Sequence, residues 1–193
     1  MENQNLSPEK SFDIINQIIN EAKSKFEENG FIYAFWGVLG AVAAFGQFIL
    51  LENGYYSINY YPYFLMPIGA IYTIYYFYKK ERTGQNQIGK LVSFAWIAIV
   101  LNIFILSFLL AGSLKQNLIP VLLILVGIGT IISAGAIKNR LVLVSGLVIN
   151  FAGLICFGLE WIYQPLLLGV VSVVALFIPG LILIVQQKRR ENV

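Results

Sequence analysis

The stretch "AIKNRLVL", residues 136–143, decides how this chain folds. It holds the only charges in an apolar run that otherwise extends from 118 to 159. A helix crossing the roughly 30 Å hydrocarbon core of a bilayer needs about 20 apolar residues. A single run from 118 to 159 is therefore twice too long. Lys138 and Arg140 divide it into two runs, 118–137 and 141–159, joined by three residues. Helices joined so closely lie antiparallel, side by side.

Working outward, the same reading yields six uncharged runs: 31–51, 60–78, 91–110, 118–137, 141–159 and 165–185. Each is 19 to 21 residues long and contains no Asp, Glu, Lys or Arg. None shows the alternation of a membrane β-strand. Backbone polar groups in lipid must be satisfied within their own segment, so the runs are expected to be helices. The chain's 193 residues are 58% hydrophobic and only 12% charged. Soluble domains carry about 25% charged residues. The expected fold is all-α, a polytopic membrane bundle of six transmembrane helices. It divides into a cytoplasmic helix at 1–30, the bundle at 31–187 and a basic tail at 188–193.

Lys and Arg in short loops set orientation. One side collects Lys10, Lys23 and Lys25, then Lys79, Lys80, Arg82 and Lys90, then Lys138 and Arg140, and finally Lys188, Arg189 and Arg190. The other side has Lys115 alone. This bias predicts that both termini are cytoplasmic and that the chain crosses the membrane an even number of times. Tyr55, Tyr56, Tyr60, Tyr61, Tyr63, Trp161 and Tyr163 cluster at the outer ends, as aromatic belts do. In "CFGLEWIYQPLLLG", Glu160 therefore marks the outer turn and Pro165 opens the sixth span.

Residues 1–30 read as an amphipathic helix that starts at Ser7-Pro8-Glu9 and stops at Asn29-Gly30. Phe12, Ile15, Ile19, Ala22 and Phe26 form its apolar face and the expected interaction surface. The segment's net charge of −3, from three Lys and six acids, favours the positive inner loops or a protein partner over anionic lipid.

No span contains an ionisable Asp, Glu, Lys, Arg or His, which argues against proton relays and voltage sensing. Neutral polar residues remain: Asn102 and Asn150 near the middle of spans three and five, Gln47 toward the outer end of span one, and Thr73 and Thr130 in spans two and four. They suit interhelical hydrogen bonds, or a polar substrate site at mid-depth. Glu52 and Glu160 are candidate outer carboxylates. Small-residue faces at Gly37, Gly40 and Ala44, and at Gly129 and Ser133, fit either packing inside the bundle or a homo-oligomer seam. Pro67 and Pro179, each followed by glycine, are expected to kink or break spans two and six. No internal repeat stands out.

The chain lacks histidine, and Cys156 is its single cysteine, so no metal site and no disulfide within the chain are expected. No nucleotide-binding, zinc-protease or nucleophile-elbow motif is present, and no cofactor or enzymatic activity is expected. The acidic N-terminal segment argues against nucleic acid as a partner.

Three stretches, "ENGFIYAFWGVLGAVAAFGQFIL", "MPIGAIY" and "YQPLLLGVVSVVALFIPGLIL", together resemble a family of uncharacterised small bacterial six-span membrane proteins. That family also opens with an acidic amphipathic helix. The resemblance implies a bacterial inner-membrane protein and no assigned activity. The expected function is a non-enzymatic interaction or regulatory membrane protein. The alternative is a small transporter or permease for a neutral or lipid-like solute.

Overall fold

The computed structural model describes residues 30–79 and 87–191. The expected amphipathic helix, with Phe12, Ile15, Ile19, Ala22 and Phe26, lies outside the described residues. Among the described residues all regular structure is helical. Helix α1 spans Gly30–Glu52, α2 Leu65–Lys79, α3 Gln87–Phe108, α4 Leu118–Ile137, α5 Arg140–Cys156, α6 Gln164–Ser172 and α7 Ile178–Glu191. A π-helical segment, Val173–Phe177, joins α6 to α7, so the last three segments form one rod.

Four of these helical stretches are long and apolar enough to cross a membrane: Gly30–Glu52, Gly89–Phe108, Ala111–Ala136 and Gln164–Arg189. Two expected spans are shorter. The 15 residues of α2 and 17 of α5 cover about 22 and 26 Å at 1.5 Å per residue. Span two loses its first turn because Tyr61–Phe64 tightens into a 3-10 helix around Pro62.

The two prolines act differently from each other. Pro67 does not kink or break its helix, because α2 begins at Leu65 and Pro67 falls in the first turn. There a missing N–H costs no intrahelical bond. At Pro179 the regular α-helix is interrupted: a π segment, Val173–Phe177, precedes α7, of which Pro179 is the second residue, and widens the turn that its ring would otherwise crowd.

The break at 138–139 is as tight as the sequence requires. Lys138 closes α4 in the left-handed conformation, φ 51° and ψ 39°, with its N–H donating to Ala134 O. Left-handed backbone costs a side-chain-bearing residue about 1 kcal/mol. Asn139 offsets that cost as the N-cap of α5. Its Oδ1 accepts from Leu141 N at 3.0 Å and Val142 N at 3.3 Å. Helices α4 and α5 then pack along their length. Gly127 lies on the backbone of Asn150, Gly146 on Ile131 and Gly153 on Ile124, so a Cβ on any of them would come within 2.8 Å of its neighbour.

A second close seam joins α1 to the last rod. A Cβ on Gly37 would stand 2.4 Å from Phe177 N, and one on Gly180 2.3 Å from Ala34 N. Gly40 faces Ser172, and Gly169 faces Phe45. Small side chains let helix backbones meet, and dispersion then holds them where lipid offers no hydrophobic drive. The core between α4, α5 and the rod is Leu123, Ile149, Ala152, Cys156, Val171 and Ala175. A smaller cluster of Ala134, Val142 and Leu183 lies against Tyr33 and Leu141.

Around this core the helices follow a fixed order of neighbours. Helix α2 packs on α1, α1 on the rod, the rod on α5, α5 on α4, and α4 on α3. Of the four long apolar stretches α3 is the least covered: 6% of its window is buried, against 39% in the rod.

Candidate functional site

Each side chain expected to form a polar site has a definite place. Asn102 is exposed on α3 and its Nδ2 donates to Ala98 O of its own helix at 2.8 Å. Asn150 lies in the α4–α5 seam, with Nδ2 3.5 Å from Ile124 O. The two amides are not brought together. Thr130 is fully buried and donates to Val126 O at 2.8 Å. Glu52 ends α1 and Glu160 sits in the turn after α5, both exposed.

Gly37, Gly40 and Ala44 are buried inside the chain, the two glycines against Phe177 and Ser172 of the rod. Gly129 and Ser133 face α3. The small-residue faces are thus used within one chain.

A second group of polar side chains lies at the end of the bundle that holds the α5–α6 turn. Gln47 Nε2 donates to Asn59 Oδ1 at 2.7 Å, tying α1 to the loop that follows it. Gln164, 3% exposed, donates from Nε2 to Cys156 O at 3.3 Å and to Leu159 O at 3.4 Å. It thereby satisfies carbonyls left open at the end of α5. The Tyr56 ring lies tilted against Trp161, centroids 6.0 Å apart, and Phe48 against Tyr163 at 6.4 Å. The first pair joins the two turns across the bundle end, and the second ties α1 to the α5–α6 turn. Gln47 Oε1 and the Tyr63 hydroxyl are buried with no hydrogen-bond partner among the described residues. A buried acceptor and a buried O–H donor suit a bound water or another small polar guest. Gln164 and Asn59 were not singled out in the sequence. The place of Gln164 next to Pro165, at the first turn of a helix, was the available signal.

Two further contacts form a pair that the sequence hid. The Trp36 indole donates to Thr73 Oγ1 at 3.1 Å, and Thr73 donates to Gly69 O at 2.8 Å. The Trp96 indole donates to Ser133 Oγ at 2.9 Å, and Ser133 donates to Gly129 O at 2.9 Å. Leu39 covers Gly69 as Ile99 covers Gly129. Every position in the second clasp is its counterpart in the first plus 60. The local sequences match as well: "IGAIYT" at 68–73 and "IGTIIS" at 128–133. The two clasps thus share one geometry at an offset of 60 residues, a local correspondence in stretches that otherwise differ at most positions.

Among the described residues no group of three His, Cys, Asp or Glu could hold a metal ion. Comparison with known protein families, with curated proteins and with solved structures gives no match.

Proposed function

We propose that this chain is a six-span integral membrane protein that works by lateral and cytoplasmic interaction and not by catalysis. Helices α2 and α5 complete the six spans. The 3-10 turn Tyr61–Phe64 adds about 8 Å to the 22 Å of α2, which restores a bilayer's thickness. Both termini lie on the cytoplasmic side, with the turn at Lys138 and Asn139. The resemblance to small bacterial membrane proteins makes the inner membrane the proposed site.

One observation supports the interaction reading: among the described residues α3 has only 6% of its apolar window buried, while the core seams are closed to backbone contact. The polar groups within the bundle support it, because they tie helices together or bond their own backbone. The acidic segment 1–29 supplies a second contact surface on the cytoplasmic side. Capture from detergent extracts with and without residues 1–29 tests the reading, with loss of co-purifying proteins expected on truncation. An unchanged set would refute a recruiting role for that segment. Cysteine labelling from each side of the membrane tests the topology, with a residue placed at 138 expected to react only from the cytoplasm.

A further inference from the structure

An exposed apolar face is at ease in lipid, whereas a buried polar atom without a bond is a cost that folds rarely leave uncovered. Two such atoms lie at the bundle end that holds the α5–α6 turn. They are Gln47 Oε1 on α1 and the hydroxyl of Tyr63 in the 3-10 turn Tyr61–Phe64, both buried with no hydrogen-bond partner among the described residues.

Both belong to one contact. Pro62 lies on α1 at Gly46, where an added Cβ would stand 3.1 Å from its ring. Gln47 and Tyr63 are the next residues on the two sides of that contact. A chain of bonds decides which end of the Gln47 amide is left over. The Tyr56 carbonyl can only accept, so Asn59 turns its Nδ2 toward it. Asn59 Oδ1 then faces Gln47 and takes a bond from Nε2 at 2.7 Å. Oε1 is the end that remains, and it does not bond the Tyr63 hydroxyl directly.

The far wall is the end of α5. The Tyr63 hydroxyl lies within electrostatic reach of the Cys156 thiol. Cys156 is fully buried, and its carbonyl accepts from Gln164 Nε2 at 3.3 Å. The contacts of Tyr56 with Trp161 and of Phe48 with Tyr163 hold the same elements together. Gln47, Asn59, Tyr63, Cys156 and Gln164 are all neutral.

The two open atoms require opposite things. Gln47 Oε1 needs a donor, while the Tyr63 hydroxyl has a proton to give and needs an acceptor. An anion would satisfy the phenol alone, and an ammonium group the amide oxygen alone. A hydroxyl donates and accepts at a single atom, which suits two side chains that are close but do not meet.

We propose that this end of the bundle binds a neutral hydroxyl guest, which donates to Gln47 Oε1 and accepts from the Tyr63 O–H. Water and a small polyol such as glycerol share this chemistry. The site goes beyond the interaction reading and is independent of it, since it uses no exposed face.

The sign of one substitution tests the proposal. Tyr63→Phe removes the hydroxyl and keeps the ring. With a guest bound, the change strands that guest, and the unfolding constant in mixed micelles is expected to rise about fivefold. With the hydroxyl merely unpaired, its removal relieves a cost. A Tyr63→Phe protein as stable as wild type, or more stable, overturns the proposal. Tyr61→Phe is the control and should be near neutral, since Tyr61 is exposed. Gln47→Met also breaks the bond to Asn59, so it is read only in combination. The double variant with Tyr63→Phe is expected to lose less than the two single losses together, because one guest serves both side chains; strictly additive losses would overturn a shared guest. Glycerol titrated into wild type and Tyr63→Phe identifies the guest. A saturable gain confined to wild type assigns a polyol, and an equal response of the two proteins assigns water. The capture experiment on residues 1–29 is untouched by any of these results.

Discussion

Adding one methyl group at Gly37 is expected to open the seam between α1 and the last rod. The new Cβ would meet Phe177 N at 2.4 Å and Phe177 Cα at 2.7 Å. Both are backbone atoms inside the π segment, so no rotamer change can relieve them. Ordinary contact begins near 3.4 Å, and the rod must therefore move by about 1 Å. A gap of that size forfeits a quarter to a half of the dispersion energy of each contact it opens. Gly30, Gly40 and Gly180 lie on the same seam and are displaced together. The cost should reach the upper part of the range for overpacked cores, about 3 kcal/mol. Gly135→Ala is the control, since a Cβ there meets nothing within 4 Å. It should be neutral, or stabilising by up to about 1 kcal/mol through helix propensity. Reversible unfolding in mixed micelles, followed by tryptophan fluorescence, measures both. Gly37→Ala combined with Gly180→Ala should cost clearly less than the sum of the two, because the first methyl has already separated the helices. A Gly37→Ala protein within about 0.5 kcal/mol of wild type would refute the close seam.

Two further outcomes are expected. Asn139→Ala should destabilise by about 1 kcal/mol through loss of the cap on Leu141 N and Val142 N, while Asn139→Asp should keep most of it, as the same unfolding titration will show. Trp36→Phe and Trp96→Phe should each cost about 0.6–1.5 kcal/mol, and their double-mutant cycles with Thr73→Val and Ser133→Ala should give coupling energies of similar size; coupling in one clasp and none in the other would argue against a shared geometry.

Several features were legible in the residues. Lys138 and Arg140 had to interrupt a helix because charge is costly in hydrocarbon, and the turn falls where they stand. Pro120 and Pro165 fall in first turns, as their missing N–H predicts. Pro67 was misread because nothing local showed that 61–64 would leave the helical path and move its start to Leu65. Gln164 was passed over because its partners, the carbonyls of Cys156 and Leu159, exist only once α5 has ended. Asn102 and Asn150 looked equivalent in depth, yet one faces outward and one faces a seam. Depth follows from position along a helix, whereas facing depends on which neighbour the helix chooses.

The sequence by itself determined the class of object: helical, apolar and divided by charged turns. That is because lipid imposes its demands residue by residue, forbidding charge and requiring every backbone bond to close within its segment. Only the tertiary structure decided which stripe meets which. In lipid every apolar face is at ease, so hydrophobicity cannot choose between partners. Shape chooses instead. Gly37 against the backbone of Phe177, and Gly127 against that of Asn150, are pairings that no pattern of apolar letters distinguishes. The same is true of the two tryptophan clasps, whose partners stand 37 residues apart and meet only across folded helices.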